Sequence, residues 1–151
     1  MIRQLHTTDN DLTALSKECF NELRAIYSPN ELAKKQKKSS PQNWVHYGYF
    51  NANKLIACVD ISLANGQLNI SSLAVNRNHR KQGIARKLIS GVIDKFETAH
   101  TASIWCVQQT GNVQIFKALG FKVTQEFPSE IFTLAAGGQA IEVQLQRTIK
   151  D

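Results

Sequence analysis

Leu73-Ala74-Val75-Asn76-Arg77-Asn78-His79-Arg80-Lys81-Gln82-Gly83-Ile84-Ala85 carries an apolar strand through a basic turn into a helix. Downstream, Ile84, Leu88, Ile89, Val92, Ile93 and Phe96 recur at helical spacing and define one apolar face. The helix start is electrically unusual. Arg86 and Lys87 stand in its first turn, where the positive end of the macrodipole disfavours cations, and no Asp or Glu lies between Asp60 and Asp94. Cations gathered at a helix N-terminus make sense when a multiply charged anion binds the exposed amides there. A solvated strand-to-helix connection can have the same composition, so the stretch alone leaves both readings open.

Working outward, Ala102 to Val107 reads as a buried strand after the helix. Strand, helix and strand make a β-α-β unit, whose crossover requires the two strands to be parallel. Upstream, Asn65-Gly66 is the strongest hairpin signal in the chain, joining Lys54–Leu63 to Gln67–Val75. A two-residue turn there pairs Ala64 with Gln67, Ser62 with Asn69 and Asp60 with Ser71. Strand alternation then puts Leu68, Ile70, Ser72 and Ala74 on one face. Asn69, Ser71, Leu73 and Val75, with Asp60 beside them, fall on the other. Trp44 to Phe50 adds a further strand through the turn Asn51-Ala52-Asn53.

Met1 to Leu5 reads as a short first strand, and Thr8-Asp9-Asn10 as a helix cap. Leu12, Leu15, Cys19, Phe20, Leu23 and Ile26 form a helical stripe that Ser28-Pro29-Asn30 breaks. A short helix, Glu31 to Lys38, carries a basic run and ends at Ser39-Ser40-Pro41. Towards the C-terminus, Thr110-Gly111-Asn112 opens a helix with Val113, Phe116 and Leu119 inward. Gly120 and Phe121 are placed to cap it. Phe121–Phe127 and Ile141–Leu145 are the last strands, separated by a mixed loop, and an exposed last strand offers an edge for a homodimer. The fold class is therefore α/β (α+β): a mixed, mostly antiparallel sheet with helices on both faces and a central β-α-β unit, in a single domain spanning 1–151.

Composition narrows the function. The chain has 151 residues, 42% hydrophobic, enough for one real core. A formal net charge of +6 suits an anionic ligand. The basic run Lys34, Lys35, Lys37 and Lys38 reads as a solvated face. A nucleic-acid-binding module is the remote alternative, weakened because no aromatic-basic alternation or recognisable binding motif accompanies it. Cys19, Cys58 and Cys106 are odd in number, widely spaced and without a CxxC pair, which fits small buried hydrophobes rather than a disulfide framework or a zinc site. No apolar run approaches membrane-spanning length, and the first residues lack a signal-peptide core, so we expect a cytoplasmic protein with no membrane partner.

These residues together resemble the GNAT superfamily of acyl-CoA-dependent N-acyltransferases. Arg80-Lys81-Gln82-Gly83-Ile84-Ala85 resembles its pyrophosphate-binding signature, and Leu119-Gly120-Phe121 resembles the segment that closes its second motif. The resemblance implies a three-layer fold with acetyl-CoA as cosubstrate, a small-molecule or peptide amine as acceptor, and no metal. It implies that the central strand splays from its neighbour, so that the backbone of Leu73, Ala74 and Val75 meets the pantetheine arm. The amides and charges of Arg80, Lys81, Gln82, Gly83, Ile84, Ala85 and Arg86 would hold the pyrophosphate, with Gly83 allowing close approach. Gln109, Asn112 and Phe116 would lie along the cofactor.

The same resemblance exposes two departures. The usual Tyr that protonates the departing thiolate is Phe116, and the usual Glu on the central strand is Asn69. A thiol with a reference pKa of about 8.5 leaves as thiolate without much help. Asn69 can position a water, and Asp60, on its face, is the carboxylate best placed to take a proton through that water. His46, Tyr47 and Tyr49 are candidate walls of an acceptor pocket, while Glu126 and Glu130 could meet a cationic acceptor. A CoA-binding protein with little catalysis is the alternative reading that these departures suggest.

Overall fold

The computed structural model describes residues 1–39 and 43–149. Its elements run β1 (Ile2–Leu5), α1 (Asn10–Arg24), β2 (Tyr27–Pro29), α2 (Glu31–Ser39), β3 (Val45–Asn51), β4 (Lys54–Ala64), β5 (Gln67–Val75), α3 (Ile84–Ile93), β6 (Thr101–Val107), α4 (Asn112–Ala118), β7 (Lys122–Pro128), β8 (Phe132–Leu134) and β9 (Ile141–Thr148). Ser40 and Pro41 of the expected break after α2, and the side chains of Lys37 and Lys38, lie outside the described residues.

Local chemistry sets the registers. Asn65 and Gly66 both take positive φ, 53° and 78°, as a type I′ hairpin demands. β4 and β5 then pair Ala64 with Gln67, Ser62 with Asn69 and Asp60 with Ser71, as the turn length implies. Asp9 caps α1 by accepting the Leu12 amide at 2.9 Å. At the end of α4, Gly120 turns to φ 94° and the Phe121 amide reaches back to the Phe116 carbonyl at 3.1 Å. The two rings then meet edge-on at 6.4 Å, the apolar contact that accompanies such a cap.

The main sheet has seven strands in the order β1-β3-β4-β5-β6-β9-β7, and β2 pairs with β8 in a separate two-stranded sheet. β5 and β6 run parallel, joined by α3, and the other neighbours in the main sheet are antiparallel. One face carries α1, whose Leu12 and Leu15 pack with Leu55, Cys58 and Ala74. The opposite face carries α3 and α4, where Leu88, Ile89, Val92 and Phe116 join Val59, Ile61, Leu68, Ile104 and Leu145. Leu68 and Leu88 are fully buried, so truncating either to Ala costs about 2–5 kcal/mol.

Several expectations are corrected. β9 lies between β6 and β7, so the exposed edge belongs to β7 and not to the last strand. β2 and β8 have no counterpart in the sequence pattern, because three-residue strands carry no readable alternation. Residues Ile26 and Phe96 extend past the helices whose stripes they continue: α1 stops at Arg24 and α3 at Ile93. The face assignment of β5 fails beyond Ser71. Two steps along β4, from Cys58 to Asp60, span three steps of β5, from Ser71 to Ala74. Ser72 supplies the extra residue at φ 55°, a β-bulge. Leu73 and Val75 therefore join Leu68 and Ile70 against the α3-side core, and Ala74 crosses to the α1 side.

Candidate active site

Just before the bulge, β5 loses its β6 neighbour. β5 and β6 stay in register only from Gln67–Thr101 to Ile70–Ile104. Beyond that point the two strands part, and a cavity of about 610 Å³ opens between them. Its floor is Ser71, Ser72, Leu73 and Ala74 on one side and Ile104 to Val107 on the other. Both faces of β6 contribute, so the opening passes through the sheet rather than over it. α1 roofs it with Ser16, Cys19, Phe20 and Leu23, while Thr110, Asn112 and Phe116 close the far end.

β5 leads directly into the basic turn. Lys81 and Gly83 both take left-handed φ, 63° and 77°. No side chain caps α3, so the Ile84, Ala85 and Arg86 amides at its start have no helical partner. A Cβ placed at Gly83 would meet nothing within 4 Å, so the turn faces open space and suits a bulky anion. The cations around it are more committed than their sequence positions suggest. Arg80 forms a two-point pair with Glu22 of α1 at 2.9 and 3.0 Å, and its Nε donates to the Val75 carbonyl at 3.0 Å. Arg77 reaches the same carboxylate at 3.4 Å. Arg86 donates to the Ala118 carbonyl at 2.6 Å, where it meets the negative end of α4.

Other expected residues are scattered. Phe116 is both core and cavity wall. Asn112 lines the cavity, whereas Gln109 does not. Its amide donates to the Gln139 carbonyl at 3.0 Å and accepts from the Ile141 amide at 3.2 Å, pinning the loop before β9. Asp60 pairs with His46 Nδ1 at 2.5 Å across β3 and β4, and the same cross-strand row ends at Ser71 in the cavity floor. Asn69 sits where β5 and β6 still pair, its Oδ1 accepting from Gln67 Nε2 at 2.8 Å. Tyr47 and Tyr49 point into the α3-side core and line neither cavity.

Sequence reasoning missed Glu142 and Trp105. Both border a second cavity, about 680 Å³, with Phe127, Pro128, Glu130 and Ile131. They also line the first, so the two cavities meet there. Burial pushes the Glu142 carboxyl above its ordinary value, and the Ser129 hydroxyl pulls it partly back. The signal was absent because Glu142 alternates along β9 like any solvated strand residue. Only the placement of β9 beside β6 brings it to the cleft. The free thiols are poor nucleophiles: burial lifts Cys58 to about 12 and Cys106 to about 11, and raises Cys19 despite the Arg80 contact. Among the described residues no group of His, Cys, Asp and Glu is placed to hold a metal ion, and no helix is long and apolar enough to cross a membrane.

The family profile described as an Acetyltransferase (GNAT) domain matches residues 10–130. The chain belongs to the GNAT acetyltransferase family. The GNAT fold is shared with solved structures at low identity. The ribosomal-protein-S18-alanine N-acetyltransferase from Escherichia coli aligns at TM-score 0.69 and 15% identity, covering 100% of this chain and 94% of that one. A GNAT family acetyltransferase from Elizabethkingia anophelis with acetyl-CoA bound aligns at 0.69 and 16%, covering 99% and 97%. An aminoglycoside 6'-N-acetyltransferase complexed with coenzyme A aligns at 0.71 and 12%, covering 100% and 98%. No curated protein matches the GNAT chain by sequence.

Proposed function

We propose that the protein is a cytoplasmic N-acetyltransferase that moves an acetyl group from acetyl-CoA to a primary amine in a ternary complex. The observation that carries this reading is the cavity between the parted ends of β5 and β6, followed directly by an uncapped helix start in a basic turn. Acetyl-CoA supplies an activated thioester. The backbone of Leu73, Ala74 and Val75 binds its arm in place of the missing strand neighbour. The turn from Lys81 to Arg86 takes the pyrophosphate on backbone amides, with Lys81 adding charge and Gly83 leaving room. Arg80 holds the turn against α1 through Glu22 and acts on the phosphates at longer range.

The amine nitrogen attacks the carbonyl carbon, the carbon–sulfur bond breaks, and the thiolate departs. A strand amide at Ala74 or Val75 faces the charge that develops on the carbonyl oxygen. The amine proton passes through water to the Asp60–His46 pair, with Asn69 on the same face to orient that water. Phe116 gives no proton to the sulfur, which a thiol of ordinary acidity does not require. The raised cysteine values support direct attack over an acyl-cysteine route.

Calorimetric titration of acetyl-CoA, followed by thiol release assays across an amine panel, tests the proposal. Saturable binding and amine-dependent thiol release are expected. Binding without release with any amine would favour the acyl-CoA-binding alternative, which the buried, hydroxyl-free Phe116 suggests. Absence of binding would overturn the reading.

A further inference from the structure

The second cavity has a character opposite to that of the whole chain. The protein carries a formal net charge of +6, yet among the described residues the charged ones lining this cavity are both carboxylates, Glu130 and Glu142. Gln36 of α2 borders it too, and the rest of its wall is apolar: Trp105, Phe127, Pro128 and Ile131. Trp105 and Phe127 meet edge-on with ring centroids 5.7 Å apart, and they stay 46% and 40% exposed. Large aromatics left open beside carboxylates form a surface that attracts cations through both charge and ring quadrupole. The volume, about 680 Å³, lies in the range of small-molecule sites. Position adds a polarity: Glu142 borders both cavities, whereas Glu130 borders the outer one alone.

We propose that the amine acceptor is a small dication or polycation with an apolar spacer. Its reacting end passes Glu142 into the cleft between β5 and β6, while a second ammonium rests at Glu130 beside the Trp105–Phe127 pair. The inference rests on the acetyl-transfer reading but is tested by binding alone. Glu142 is only partly desolvated, and an arriving cation favours its charged form, which a neutral acceptor cannot do.

Calorimetric titration of the full chain with cadaverine and with pentylamine, its monocationic counterpart of equal length, provides the test. Cadaverine should bind about tenfold more tightly or better, the size of one well-placed ionic contact. Glu130→Gln and Glu142→Gln should each bring the two affinities together. Glu126→Gln, whose carboxylate lines neither cavity, should leave the preference intact. Acetyl-CoA affinity and melting temperature are measured for each variant, so that a folding defect is recognised and Glu130→Gln, on an exposed residue, still decides. Equal affinities in the unaltered protein, saturable binding of neither amine, or an equal loss with Glu126→Gln would overturn the proposal. Selective cadaverine binding with no acetyl transfer would leave this site standing and remove the transferase reading instead.

Discussion

Arg80 and Glu22 are fastened by two parallel hydrogen bonds of 2.9 and 3.0 Å, tying the basic turn to helix α1. Because α1 also roofs the first cavity, one ion pair couples the height of that roof to the position of the turn.

Glu22→Gln should therefore loosen the roof at small cost in stability. The pair is a third or more exposed, so screening limits it to about 0.5–1 kcal/mol. The Arg80 hydrogen bond holds the Glu22 carboxyl below the usual carboxylate range. A depressed native value means that this stabilisation is complete above the ordinary Glu value and is lost as pH falls through the native one. Thermal melts across the acid range should show a gap between parent and variant that is full at neutral pH and closes on acidification. A gap that persisted under acid would refute the assignment.

Gly83→Ala tests the turn. At φ 77° an added Cβ meets no neighbour but strains the backbone, costing about 1–2 kcal/mol. The methyl would stand where the phosphate approaches. Acetyl-CoA affinity should drop by about tenfold or more, beyond what the strain explains. A folded variant with unchanged calorimetric affinity would remove the turn from the cofactor site.

Phe116→Tyr tests the absent acid. Phe116 is 6% exposed and forms both core and cleft wall, so a new hydroxyl must find a partner there or cost about 1–3 kcal/mol. Turnover should stay level or rise modestly, with a small fall in melting temperature. Identical cofactor-induced stabilisation and identical pH-rate profiles in both proteins would show that position 116 never meets the thioester.

Ser72 is the fourth test. Glycine relieves a positive φ, whereas a β-branched side chain resists it. Ser72→Gly should hold stability within about 1 kcal/mol, and Ser72→Val should lower it by roughly 2 kcal/mol. Chemical denaturation measures both. Equal effects would mean that the bulge is not a point of strain.

The hairpin at Asn65-Gly66 shows how far sequence carries the fold. Its two residues determine three cross-strand pairs, because turn type and register are one geometric fact. The phase is lost one residue past Ser71, since a bulge built on serine lacks the glycine that would announce it. The site divides in the same way. The basic turn is local and legible. Glu142 reaches the cleft only through the insertion of β9 between β6 and β7, and Arg80 finds Glu22 across 58 residues of sequence, neither of which any local pattern encodes.

The end of the β6 ladder at Ile70, just ahead of the Ser72 bulge, also divides one strand into two dynamic regimes. Up to Ile70, β5 is held by ladders on both sides; beyond it, β4 alone supplies a neighbour. Amides that face the missing partner are left to exchange with solvent, while those a few residues earlier are shielded by the full sheet. A ligand that completes the ladder would extend protection along the same strand, so β5 itself would register occupancy as a change in the breathing of its final residues.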